Sequence, residues 1–320
     1  MDLPTLVEIE QAAARLRDVA VVTPVATSAE LEARVGARVF LKCEQKQRTG
    51  SFKFRGAFNA VASLPPDING KPAVTVSSGN HGQALALAAR LHDRAAIIYA
   101  PGSITPTKRQ AILAQGGTMV DCATRAEAEA VAAGRAQSGE VVLVHPFDDA
   151  RVIAGQGTCA FEFLAQVGAV DVLLAPVGGG GLLSGTCLAA HARRPGVQIY
   201  ACEPTGALDA IESVRSGRIV PMLNPRTMAD GLRSSLGVLT LAILRRHLAG
   251  FFTVEEEDIV QALAFADTQL GLVIEPSSAV ALAPLLRGEP LLQGRRVGVI
   301  LTGGNVEGAR PKAGGAHVGG

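Results

Sequence analysis

Lys53 lies between two phenylalanines in the run Ser51 to Ala57, SFKFRGA, of a chain that carries six lysines against twenty-four arginines. A primary amine on an apolar platform can lose its proton when withdrawn from water, which turns a cation into a nucleophile able to condense with a carbonyl. A guanidinium cannot do this. The competing reading is a lysine whose stem packs on its neighbours while its head stays wet. Further along, PVGGGGLLSG, Pro176 to Gly185, follows an apolar run and opens a helical stretch. Gly178, Gly179, Gly180 and Gly181 strip the side chains from a bend, so that backbone N–H groups and a helix N-terminus converge on one anion, most naturally a phosphate. A Walker loop would place Gly-Lys-Ser/Thr after its glycines, and Leu182 and Leu183 stand there instead, which argues against nucleotide hydrolysis.

Two more clusters carry polar chemistry. In VSSGNHGQALALAA, Ser77, Ser78, Asn80 and His81 crowd the turn before a helix, where they could cap it or hold a carboxylate on exposed N–H groups. In LTGGNV, Thr302 directly follows an apolar run, where its hydroxyl either ends a strand or meets a ligand. A dinucleotide-type spacing occurs at Gly155, Gly157 and Ala160 in AGQGTCA, but no strand precedes it and no acidic strand end follows at the required interval.

The elements that must position these groups alternate. β-Branched runs at 73–76, 96–99, 141–144, 171–175, 198–201 and 296–301 interleave with stretches of helical period at 81–91, 107–115, 126–137, 152–166, 182–192, 255–269 and 277–286. That alternation predicts an α/β fold with parallel sheets covered by helices, whose ligands gather at the carboxyl ends of the strands. The glycine-rich stretch 309–320 lacks bulky apolar residues and reads as disordered.

Composition narrows the partners. With 48% hydrophobic residues, net charge +1 and no block of like charge, the chain points to small neutral or zwitterionic ligands, with neither nucleic acid nor membrane as partner. Five scattered cysteines without metal or redox spacing indicate reduced thiols and a cytoplasmic setting. The acidic N-terminus lacks the features of a signal peptide, and no apolar stretch approaches the ~18 residues of a membrane span.

The motifs SFKFRGA, SSGNHGQA, HPFDD, IAGQGT, PVGGGGLLSG, TMADGL, EPSSAVALA and TGGNV occur in one order that resembles the pyridoxal 5′-phosphate enzymes of the tryptophan synthase β-like fold (fold type II), and among them the serine/threonine dehydratase and serine racemase family. The resemblance implies two open twisted parallel-sheet domains with flanking helices and the cofactor in the cleft between them. The larger domain would comprise 1–71 and 148–320, and a smaller mobile one 72–147. It implies that Lys53 holds pyridoxal 5′-phosphate as a Schiff base, with Phe52 beside it. Gly178 to Gly181 would bind the phosphate, Asn80 the ring hydroxyl and Thr302 the pyridine nitrogen. Ser77, Asn80, His81 and Ser234 would hold an amino-acid substrate, and Lys53 would take its α-proton. A neutral threonine at the ring nitrogen suits elimination better than transamination, which favours dehydration of a β-hydroxy L-amino acid to a 2-oxo acid and ammonia. Ser78 matches a racemase serine that returns a proton on the opposite face, so serine racemase stays open. Arg125 resembles an arginine that reaches dicarboxylates, so 3-hydroxyaspartate stays open as a substrate. Glu203, Ala207 and Asp209 resemble a divalent-cation site suited to magnesium. A homodimer follows from the resemblance alone. A nicotinamide-dependent oxidoreductase is the distant alternative on the same grammar.

Overall fold

The computed structural model describes residues 3–68 and 70–306, so the stretch read as a disordered tail lies outside it. In chain order its strands are β1 (Val25–Ala26), β2 (Arg38–Cys43), β3 (Ala73–Val76), β4 (Ala96–Pro101), β5 (Thr118–Cys122), β6 (Val142–Leu143), β7 (Val172–Pro176), β8 (Gln198–Pro204), β9 (Gly250–Val254) and β10 (Arg296–Leu301). They form a six-stranded sheet ordered β1-β2-β10-β7-β8-β9 and a four-stranded sheet ordered β5-β4-β3-β6. Every pairing is parallel except β1 on β2. The protein is therefore α/β with two parallel sheets and flanking helices. Strand β10 shows why: Val297 pairs with Val39 on one side and Val172 on the other, and Val297, Val299, Ile300 and Leu301 are fully buried. A strand covered on both faces reads as a continuous apolar run, which makes it legible.

Less legible strands have physical reasons. In β2 the fully buried Lys42 interrupts RVFLKC, and β5 is an edge strand of the smaller sheet whose Thr118, Val120 and Asp121 are exposed. The stretch 141–144 contributes only the two residues of β6 to its ladder. The single helix expected over 277–286 is two, Pro276–Ala279 and Ala283–Arg287, because Pro284 has no N–H with which to continue the first. The helix Lys53–Ala62 escapes periodicity because everything from Phe54 to Val61 is buried, which erases the polar face.

Three helices set the spacing of the site: Lys53–Ala62, Ala150–Val167 and Gly181–Arg193. The middle one touches both neighbours through glycine. A Cβ on Gly155 would stand 2.6 Å from the Arg55 carbonyl oxygen and 2.7 Å from Gly56 Cα, and one on Gly185 would collide with the Gly157 nitrogen. Gln156 Oε1 accepts from the Gly56 N–H at 3.2 Å. The glycines of AGQGTCA thus lie mid-helix as packing surfaces rather than at a strand-to-helix turn, which removes the pyrophosphate cradle that a nicotinamide enzyme needs.

A buried ion network braces the same helix from outside. Arg55 grips Glu44 through Nε and Nη2, both at 2.8 Å, and Glu162 through Nη1 and Nη2 at 3.1 and 3.0 Å. Lys42 Nζ completes it against Glu162 at 2.5 Å, with further contacts to Gln166 and the Thr23 carbonyl. Two cations face two carboxylates, so the cluster is neutral overall.

Candidate active site

Residues that follow β3, β7 and β10 line one cavity of about 290 Å³. Lys53 reaches it through a forced turn: Thr49 and Gly50 both adopt left-handed backbone, at φ 58° and 72°, a cost a threonine bears only where surroundings impose it. The Phe52 N–H then donates to the Thr302 carbonyl at 3.0 Å, and Ser51 bridges Gly303, so the first turn of the lysine helix is stitched beside the end of β10. Lys53 Nζ donates to the Pro146 carbonyl at 3.0 Å and sits 5.2 Å from the centre of the Phe52 ring. Removal from water pushes its pKa down to about 8, against the opposing pull of Glu275.

Opposite stands the glycine bend. Gly180, at φ 85°, is the N-cap of Gly181–Arg193 and has no side chain with which to cap it, which leaves the helix N-terminus open to an anion. Gly178, Gly179, Gly180 and Gly181 all line the cavity. A Cβ on Gly179 would overlap the Phe147 ring, and one on Gly178 would stand 2.9 Å from Leu232 Cα. No side chain fits at either position.

The four polar residues of the β3 turn divide their work. Ser77 Oγ accepts from the N–H groups of Gly79 and Gly82 at 3.2 and 3.0 Å, and so shapes the turn. Ser78 takes no part in capping Asn80–Arg90; it is exposed and lines the cavity. His81 is buried with Nε2 3.3 Å from the Val144 carbonyl, which can only accept, so that nitrogen carries the proton. Burial pushes its pKa down to about 3, and a neutral ring whose N–H is spent on Val144 brings no cation to a substrate carboxylate. Asn80 Nδ2 faces both oxygens of Glu275 at 3.0 Å, while its Oδ1 accepts from Asn305 Nδ2 at 2.8 Å. One N–H serves the carboxylate and leaves the second for a ligand.

Thr302 Oγ1 is buried without a hydrogen-bond partner among the described residues. Ser234 lines the cavity from the larger-sheet side. Arg125 also lines it, yet its Nε pairs with Glu129 at 2.8 Å on its own helix. Lys108 and Asp230, both in the cavity wall, pair at 2.6 Å across the cleft.

A profile of the family described as pyridoxal-phosphate dependent enzyme matches residues 16–303. The chain belongs to that family. It is 42% identical to the serine racemase of Homo sapiens, over 94% of this chain and 91% of that one. It is 40% identical to the beta-hydroxyaspartate dehydratase of Paracoccus denitrificans (strain Pd 1222), over 96% and 98% of the two chains. The solved structure of a T.th. threonine deaminase superposes with a TM-score of 0.90 at 38% identity, covering 96% of this chain and 100% of that one.

The residues present fit pyridoxal phosphate. The desolvated Lys53 amine, the side-chain-free glycine bend and the orphaned Thr302 hydroxyl offer a nucleophile, an anion cradle and a neutral hydrogen-bonding group around one cavity. Residues that sequence motifs contain but that carried no assigned role also gather here. Glu275 holds Asn80, Asn305 ties Asn80 to the Thr49 carbonyl, and Phe147 closes over Gly179. Burial pushes the Glu275 carboxyl up to about 7. An acid inside the apolar run VIEPSSAVALA was the signal, since a carboxylate there must find a partner.

Glu203, Ala207 and Asp209 lie away from that cavity, at the end of β8. Glu203 accepts from the N–H groups of Ala210 and Ile211 at 2.8 and 3.1 Å, and burial pushes it up to about 8; Asp209 is pushed up to about 7 by the same cause. Asp209 Oδ2 is buried without a partner, which suits a cation. Among the described residues no three His, Cys, Asp or Glu side chains cluster, so carbonyl and water ligands would have to complete any shell. Among these residues no helix is long and apolar enough to cross a membrane.

Proposed function

We propose that the protein dehydrates and deaminates a β-hydroxy L-amino acid, of the serine, threonine or 3-hydroxyaspartate type, to a 2-oxo acid and ammonia. The observation that carries this reading is the buried, partnerless Thr302 hydroxyl. Pyridoxal phosphate held by Lys53, the glycine bend and Thr302 would supply an electron sink for the Cα–H bond of the amino acid, and a neutral Thr302 hydroxyl gives no charge reason to store that negative charge for long, which favours prompt loss of a β-substituent. Lys53 Nζ takes the α-proton, its lowered pKa matching a base that works near neutrality. The cavity-lining turn after β3 and the second Asn80 N–H orient the substrate, while Phe147 and Phe52, which also line the cavity, keep water from the reacting carbons. The elements of water leave the substrate, and the released enamine hydrolyses to the 2-oxo acid and ammonia. The purified holoprotein, given L-serine, L-threonine and 3-hydroxyaspartate, is expected to form 2-oxo acid from at least one. D-serine appearing faster than pyruvate would overturn the assignment.

A second reading, serine racemisation, draws support from Ser78, whose hydroxyl is exposed to the cavity and free of capping duty. In that reading Ser78 returns a proton on the face away from Lys53. Ser78→Ala is then expected to lower D-serine formation about 100-fold relative to pyruvate formation, in the range general acid–base groups contribute. An unchanged ratio by chiral chromatography removes Ser78 from proton transfer.

We further infer a magnesium ion at Glu203, the Ala207 carbonyl and Asp209, supported by the Asp209 Oδ2 that has no partner among the described residues and by the like charge of Asp209, which adds to burial in raising Glu203. Magnesium is expected to raise the thermal unfolding midpoint of the wild type, because a ligand bound only by the native state stabilises it. Asp209→Asn should lose that rise; a variant that keeps it places the ion elsewhere.

A further inference from the structure

Among the described residues, four cationic side chains stand in the cavity wall: Lys53, Lys108, Arg125 and Arg233. Three are spoken for within their own neighbourhood. Lys53 donates to Pro146, and Arg233 donates Nε to the Thr227 carbonyl at 3.0 Å. Arg125 pairs with Glu129 one turn along a helix surface, both side chains 55% exposed. Lys108 differs, because its counter-ion Asp230 also lines the cavity.

The pair spans the cleft. Lys108 sits on the helix Pro106–Ala114, which runs between the smaller sheet's β4 and β5. Asp230 opens the short turn Asp230–Leu232, whose Gly231 N–H donates to Ser277 Oγ at 2.9 Å and whose Leu232 backs Gly178. We propose that Lys108 is the specificity residue for a second substrate carboxylate, and that Asp230 occupies its place until that carboxylate displaces it. The inference rests on the cavity being an amino-acid site, as argued above.

Three features carry it. The Lys108 ammonium already holds a carboxylate at 2.6 Å inside the cavity wall, so the local geometry accepts one. Its side chain is 31% exposed and that of Asp230 47%, so exchanging one carboxylate for another requires little new desolvation, and the displaced Asp230 can turn to water. A substrate whose β-carbon bears, besides its hydroxyl, only hydrogen or methyl offers no carboxylate to compete and leaves the pair closed. Charge on the β-substituent is thereby converted into a choice between substrates.

The test compares succinate with butyrate, a dicarboxylate and a monocarboxylate of equal chain length, by calorimetric titration of the holoenzyme. Lys108→Gln is expected to lower the succinate-to-butyrate affinity ratio about tenfold (~1.4 kcal/mol), whereas Lys108→Arg keeps it within about threefold by retaining the charge. Asp230→Asn, which frees the ammonium, raises the ratio. An unchanged ratio in Lys108→Gln, a fall in Asp230→Asn, or a fall in Arg125→Gln matched by none in Lys108→Gln overturns the proposal. The ratio is read without turnover, so a protein that eliminates water from no hydroxy amino acid sinks the function proposed above while leaving Lys108 to be judged by its own titration.

Discussion

Replacing Lys53 by alanine is expected to lower 2-oxo acid formation by about 10²–10⁴-fold, the range a positioned general base supplies, and to abolish borohydride fixation of the cofactor to the SFKFRGA peptide. The fold should survive, because the side chain's hydrogen bond to protein is the one to the Pro146 carbonyl. Undiminished turnover in this variant would refute the assignment of the site. The same amine sets a pH dependence. Only its neutral form captures an aldehyde, and its pKa is lowered to about 8 by loss of water. Cofactor uptake by the apoprotein should therefore rise about tenfold per pH unit below 8 and level off above it; an ordinary lysine would keep gaining up to about pH 10. Stopped-flow absorbance across this range separates the two.

The second large effect falls on Arg55. Exchanging it for methionine leaves Glu44, fully buried, and Glu162 facing each other without the guanidinium between them. Breaking a buried ion pair from one side costs about 3–5 kcal/mol, which urea unfolding would register as a large fall in midpoint at unchanged slope. Burial pushes the Glu162 carboxyl up, but Arg55 and Lys42 outweigh it and hold the group below its usual value. A depressed carboxylate contributes stability above its unfolded pKa and loses it as pH falls through the folded one, so the wild type loses this share in acid and the variant has less to lose. A loss of stability below about 1 kcal/mol would mean that the cluster behaves as a surface pair.

Much of this architecture is legible in the chain. The double-sided strands β3 and β10 read directly because burial on both faces writes an unbroken apolar run, and the glycine bend reads because four adjacent residues without side chains have few other uses. Lys53 stands out by residue type against a background of arginine. What failed to read was decided by long-range pairing. Lys42 sits inside β2, one residue before its end, because Glu162, 120 residues away, awaits it. The Glu275–Asn80 contact spans 195 residues. The capping role fell to Ser77 rather than Ser78 because the turn, not the residue type, chose the acceptor. The neutrality of His81 follows from the Val144 carbonyl, which no local pattern announces.

The contacts of Gly155 with Gly56 and of Gly157 with Gly185 have a mechanical meaning. Because main chain rests on main chain at both seams, the interval between the Lys53 helix and the helix that opens at the glycine bend is a rigid gauge with no rotatable bonds in it. Whatever small molecule enters or leaves the cavity, that yardstick keeps its length. Inserting a single methyl at either seam would lengthen that yardstick without touching any polar group.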